Sequence, residues 1–247
     1  METKGKGMKS LGCLHLIPVP ISDHNHDNSV SIGLSDTVNH ILDWIVETPK
    51  TARAQLKIIA PKTAVSEQRL YSLNKHKPQE NIKEILKPCI NGLDMGLISD
   101  AGAPGVADPG SLVVEKAHQL GITVKPWAGP SSIILGLMAS GFNGQNFTFN
   151  GYISIKKPER KNDLLKLERD IRNGITQIFI ETPYRNIRTI KDLCSTLSND
   201  IDLCLASNLT GKNELILRKS ISDWRKFNNF EIFHKVPVIF ILGRSND

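Results

Sequence analysis

The stretch SDAGAPGVADPG, Ser99–Gly110, constrains this chain more than any other. An apolar run, MGLI, delivers into three glycines, two prolines and two aspartates. SLVVEKAHQLGI then sets Leu112, Val113, Ala117 and Leu120 at helical spacing and stops at Gly121, as a helix with a C-terminal glycine does. TVKPW follows as the next strand. A strand, a loop of bare backbone, a helix and a further strand read as one crossover unit of a parallel sheet.

The rest of the first half repeats that alternation. Residues 1 to 10 carry Gly and Lys with no apolar period and read as a leader. From Leu11, LHLIPVP predicts a buried strand stopped by prolines, ahead of the polar loop ISDHNHDNS, a position where ligands often sit. SDTVNHILDWIVETPKTARAQLKIIA reads as helix, strand, helix: Val38, Ile41, Leu42 and Ile45 fall at helical spacing, while Trp44 to Val46 fit a short strand. Asn81 to Cys89 spaces Ile82, Ile85 and Leu86 as one helix face. The expectation is an α/β fold of two α/β domains. The first, residues 11–127, carries a largely parallel sheet, and the second, residues 128–247, a mixed sheet with its own helices. In the second, Ile133 to Ser140 predicts a short apolar helix and NFTFNGYI a strand with one solvated face. KKPERKNDLLKLERDIRNG predicts a charged helix, and TQIFIE, DLCLAS and VPVIFILG predict strands, with ELILRKS and a Ser222 to Lys226 turn between the last two. There is no internal repeat.

A chain of 247 residues has enough length to bury a core without disulfide or metal staples. Cys13, Cys89, Cys194 and Cys204 lie far apart, which excludes a zinc ribbon or a redox Cys-x-x-Cys pair and fits reduced core thiols. The basic start is followed only by the short apolar LGCLHLIPVP, so a cytoplasmic protein with no membrane span is expected. Thirty-one Lys and Arg against twenty-five Asp and Glu give a net charge of +6, open to a polyanionic partner or to an ordinary solvated surface. His24 and His26 form a His-x-His pair with no third ligand nearby, so no metal site is expected. Neither a Gly-x-Gly-x-x-Gly fingerprint nor a P-loop occurs.

In Ser99–Gly110, Gly102, Gly105 and Gly110 let a ligand approach main-chain groups, the prolines hold the loop in one shape, and Asp100 and Asp108 accept hydrogen bonds. The plainer reading is a turn in which Asp108 caps the following helix. LHLIPVPI, IVETPKTARAQL, AGPSS, ASGFNGQNFTFNGYISIKKPER, IFIETPYRN, LCLASNLT and VPVIFILG accompany the loop in that order. Together, from about Leu11 to Gly243, they resemble the tetrapyrrole methylase superfamily of class III S-adenosylmethionine-dependent methyltransferases. Within it they are similar to the branch that methylates ribose 2′-hydroxyls of small-subunit ribosomal RNA. This chain departs from that branch at Ser22, Asp23 and His24, where Gly-Asn-Leu is usual, and at Asn208, Leu209 and Thr210, where an ELT-like segment is usual.

The resemblance implies S-adenosylmethionine as cofactor, no metal, and a homodimer. It implies cofactor contacts at Pro20, Ile21, Asp100, Ala101, Gly102, Val106, Ser131, Ser132, Glu181 and Ala206, drawn from both halves and hence in a cleft between them. A ribose hydroxyl is a poor nucleophile, so a base within hydrogen-bond reach would help; Glu47, His76, Asp100 and Glu181 are the candidates. Glu47 can instead pair with Arg53 on the surface, His76 can be solvated, and Glu181 can simply order a turn. RNA phosphates would meet Lys50, Arg53, Lys75, Lys77, Lys156, Lys157, Arg160, Lys161 and Arg185, with Tyr152 and Tyr184 available to stack on bases. The alternatives are methylation of a tetrapyrrole or other small molecule, or a ribosome- or RNA-binding protein that keeps the fold without catalysis.

Overall fold

The computed structural model describes residues 10–22, 34–60, 62–73 and 80–244; His24, His26, Lys75, His76 and Lys77 lie outside them. The chain divides into two compact units, Met1–Ser131 and Ser132–Asp247.

The first unit holds β1 (Cys13–Leu16), α1 (Leu34–Val38), β2 (Asp43–Val46), α2 (Pro49–Ile59), β3 (Arg69–Ser72), α3 (Ile82–Ile85), α4 (Lys87–Ile90), β4 (Met95–Ile98), α5 (Gly110–Gln119) and β5 (Thr123–Pro126). Its five strands run in the order β3-β2-β4-β1-β5, and every pairing is parallel. The helix, strand and helix expected between Ser35 and Ala60 are α1, β2 and α2. β2 and β4 are buried along their whole length, as central strands covered on both faces are. Trp44, fully buried, lies opposite Gly96 in the register, and a Cβ at Gly96 would sit 2.3 Å from the indole ring. The glycine is therefore the space the tryptophan fills.

Two local readings change in the first unit. The helix expected over Asn81 to Cys89 is two pieces, α3 and α4, because Pro88 has no N–H to donate and its ring crowds the carbonyl four residues back. β3 was not legible: RLYS pairs only with β2 at the sheet edge and keeps a polar, half-exposed pattern.

The second unit holds α6 (Ser132–Ser140), β6 (Phe147–Tyr152), α7 (Lys157–Arg172), β7 (Thr176–Ile180), α8 (Asn186–Thr196), β8 (Asp202–Ser207), β9 (Leu215–Ser220), α9 (Ile221–Lys226) and β10 (Val238–Gly243). Its sheet, β6-β7-β10-β8-β9, is mixed: β6 and β7 are parallel and the other pairs antiparallel. Alternate residues face opposite cores, as the two-residue strand period requires. Phe179, Leu203, Leu205, Phe240 and Leu242 join Leu164, Leu167 and Ile190 on one face. Ile178, Cys204, Ala206, Ile239 and Ile241 join Ile133 and Leu137 of α6 on the other. Phe179 and Phe240 are in register and stack with centroids 4.8 Å apart. The segment expected as a Ser222 to Lys226 turn is helix α9, capped by Ser220, whose Oγ accepts the Asp223 N–H at 3.1 Å.

Candidate active site

In the first unit the chain leaves β1 toward β2 and leaves β4 toward β5, so the loops after these two neighbouring strands depart to opposite sides. Open α/β sheets bind ligands at such a switch point, beyond the carboxyl ends of the strands. Three loops meet there. Val19 and Gly102 form an antiparallel bridge, each N–H donating to the other's carbonyl at 3.0 and 3.1 Å, which ties the loop after β1 to the loop after β4. Gly102 has φ of +71°, a conformation that disfavours any side chain. A Cβ there would lie 3.7 Å from Ile21 Cγ1 and 3.5 Å from the Pro130 carbonyl oxygen, so the AGPSS segment closes the third side. Ser99 holds the turn from within, its Oγ donating to the Ala101 carbonyl at 3.0 Å.

The structure thus brings Ile21, Gly102 and Pro130 close together, with Pro20, Asp100, Ala101 and Ser131 beside them along the chain. Ala101 and, further along the loop, Val106 are exposed. Asp100 faces the loop after β2: its carboxylate accepts the Thr48 N–H at 3.1 Å and the Thr48 hydroxyl at 2.7 Å. Thr48 stands at the N-cap position of α2 with its hydroxyl given to Asp100 and not to the helix, and Pro49 is in the first turn, so Asp100 fixes where α2 begins. The Thr-Pro pair at the end of an apolar run was the available signal for this contact. Asp108 is structural but not the N-cap of α5, which is Pro109: its Oδ1 accepts the N–H of Gly105 at 2.9 Å and of Gly110 at 2.7 Å, tying the loop to the start of the helix. Burial pushes its carboxyl above the ordinary range, the N–H groups of Gly110 and Gly105 pull the other way, and the charges of Glu47 and Asp100 add to the rise.

The second unit contributes a buried network. Glu181 follows β7, and its Oε1 accepts the Thr182 N–H at 2.8 Å. Its Oε2 lies 3.4 Å from both Arg160 Nη1 and Thr189 Oγ1. Arg160 also donates to the Asp192 carboxylate at 2.7 Å, the Ser154 carbonyl at 3.1 Å and the Thr189 hydroxyl at 2.6 Å. At 5% exposure, Arg160 is a framework residue and not the phosphate contact expected of it. The side chain falls inward because Arg160, Leu164, Leu167 and Ile171 form one buried stripe of α7. Ala206 is likewise buried, in the apolar face under α6, and Ser132 opens α6. Lys50, Arg53, Lys156, Lys157 and Lys161 are exposed and Arg185 is half-buried. Among the described residues no cluster of His, Cys, Asp and Glu could hold a metal ion, and no helix is long and apolar enough to cross a membrane.

The family model for Tetrapyrrole (Corrin/Porphyrin) Methylases matches residues 34–224. The chain belongs to this family. It is a methyltransferase of the S-adenosylmethionine-dependent kind. It is 29% identical over 204 residues to "Ribosomal RNA small subunit methyltransferase I" of Vibrio cholerae, covering 82% of this chain and 67% of that one. Its identity to the protein of the same name from Bacillus subtilis is 27% over 241 residues, 98% of this chain and 78% of that one. Among solved structures it resembles the methyltransferase CobJ, with a TM-score of 0.66 at 16% identity over 95% of each chain. It also resembles a Thermus thermophilus uroporphyrin-III C-methyltransferase complexed with S-adenosylhomocysteine, with a TM-score of 0.55 at 14% identity over 94% of this chain and 97% of that one. These last two likenesses show the fold of the methylase.

Proposed function

We propose that this methylase transfers the methyl group of S-adenosylmethionine to a ribose hydroxyl of small-subunit ribosomal RNA. The observation that carries the reading is the three-loop site beyond β1 and β4, in a chain whose curated relatives bear the name of a ribosomal RNA methyltransferase over most of its length. The residues present fit the cofactor. Gly102 leaves room that a Cβ would take beside Ile21 and Pro130, as a backbone-held nucleoside needs, and the neighbouring Asp100 carboxylate suits a sulfonium cation and repels phosphate. Pro20, Ile21, Asp100, Ala101, Gly102, Val106 and Ser131 of the first unit would hold it. When bound, the cofactor would supply an electrophilic methyl carbon: the ribose oxygen would take the methyl as the sulfur departs as a neutral thioether, and the hydroxyl proton would pass to solvent.

The chain's own part is positioning, which can lower such a barrier by about 7–11 kcal/mol. Asp100 and Thr48 lock two loops into one frame. Glu181, its carboxylate already bonded to Arg160, Thr182 and Thr189, orders the loop that begins at Thr182 and is not the base in this reading. The exposed lysines supply sequence-independent attraction to RNA. The reading places the protein in the cytoplasm as a homodimer. Its test is transfer of radiolabelled methyl from S-adenosylmethionine to fractionated RNA, protein and small molecules from a strain lacking this protein. Label in small-subunit RNA that survives alkaline hydrolysis as a dinucleotide is expected, and label confined to small molecules refutes the RNA reading.

A further inference from the structure

β6 lies at the open edge of the second sheet and is interrupted. The register slips between Phe149 and Tyr152, and Gly151 sits at φ +64° with nothing within 4 Å of where a Cβ would be. Asn150 pins the irregularity, its Nδ2 donating to Gln177 Oε1 at 3.0 Å and lying 3.3 Å from the Ile178 carbonyl. A bulge re-aims the side chains beyond it. Tyr152 is consequently 59% exposed although it still pairs with Ile180, and the next residue, Ile153, drops into the core.

The backbone that follows is held rigid. The Ser154 N–H donates to Asp163 at 2.9 Å and its carbonyl accepts from Arg160 at 3.1 Å. On this fixed support Tyr152, Ile155, Lys156, Glu159 and Arg185 line a groove of about 450 Å³, within the usual range of small-molecule pockets. Arg185 is itself steadied, donating to the Tyr184 hydroxyl at 2.9 Å with Glu181 Oε1 3.6 Å away.

We propose that this groove takes one unstacked base of the RNA acceptor, with Tyr152 as its stacking platform and Lys156 and Arg185 on the adjoining phosphates. The assignment rests on the RNA reading above. Charge and shape select the occupant: cations at Lys156 and Arg185 suit a polyanion, while the exposed faces of Tyr152 and Ile155 suit a flat ring, as in single-strand binders. Glu159 on the same wall repels phosphate, which favours a base over a phosphate inside the groove. A peptide adding as a further strand is disfavoured, because the Gly151 bulge breaks the ladder it would need.

The test is fluorescence anisotropy with a short end-labelled single-stranded RNA across a salt series, together with quenching of a 2-aminopurine placed within the same RNA. Tyr152→Ala is expected to weaken binding roughly 5- to 150-fold and abolish the quenching, while Tyr152→Phe retains both. Lys156→Gln is expected to lower the salt slope by about one, whereas Tyr152→Ala leaves that slope unchanged. Thermal melting of each variant shows whether it is folded. RNA binding by Tyr152→Ala equal to that of the unsubstituted protein overturns the groove and leaves the RNA reading standing. If the unsubstituted protein binds no RNA at low salt yet binds coproporphyrin III, both are overturned.

Discussion

Arg160→Met removes the centre of the network in the second unit. Arg160 and Glu181 have side-chain exposures of 6% and 1%, so their pairing is desolvated. The variant deletes the bonds to Asp192, Ser154, Glu181 and Thr189 and leaves Glu181 with Thr182, Thr189 and the more distant Arg185. Removing one partner of a buried pair costs about 3–5 kcal/mol, because the remaining charge stays buried. For a chain of this size each kcal/mol moves the melting midpoint by about 2–4 °C, so a fall of roughly 6–20 °C is expected. Trp224 reports on this unit, since it lies in the same core with its Nε1 donating to the Leu203 carbonyl at 2.8 Å. The assay is urea unfolding at pH 7 followed by Trp224 fluorescence in a Trp44→Phe, Trp127→Phe background. Adding Glu181→Gln to Arg160→Met should recover part of the loss, because the stranded charge is then gone. A loss under about 1 kcal/mol, or unchanged stability with a reduced salt slope for RNA binding, would show Arg160 to be a phosphate contact and refute the assignment.

Asp108→Ala should cost about 1–3 kcal/mol in urea unfolding by stranding the Gly105 and Gly110 N–H groups, whereas Asp108→Asn keeps an acceptor oxygen for both. Because the fold raises this carboxyl above its ordinary 3.8, its contribution to stability is full below that pH and is lost as pH rises through the folded value. The Asn variant should therefore gain on the native protein as pH rises across that window, and a parallel pH profile for the two would contradict this. Burial pushes Cys89 up to about 12 and Cys204 to about 11, and raises Cys13 and Cys194, so iodoacetamide at pH 8 should label the native protein slowly and all four thiols rapidly in urea. Fast stoichiometric labelling of any one in the native state would overturn that expectation.

The loops that build the first site were legible because glycine, proline and aspartate after an apolar run carry backbone information locally. What those loops touch was not. Thr48 and Asp100 lie fifty-two positions apart, and only the adjacency of β2 and β4 brings them together. Arg160 shows a different failure. KKPERK reads as a solvated charge run when taken by composition, yet the helical phase shared with Leu164, Leu167 and Ile171 already placed this one arginine on the inner face. β3 was missed because an edge strand needs an apolar character on one side only, and α9 because six residues are too few for a period to declare itself, though Ser220 and Asp223 offered a capping pattern.

The paired hydrogen bonds between Val19 and Gly102 make two stretches of chain, more than eighty residues apart in sequence, a single mechanical part. Asp100 couples the start of α2 to that same part through Thr48. A molecule pressing on any one of these segments is resisted by all of them, so the site greets its ligand already shaped, and little ordering entropy remains to be lost when it arrives.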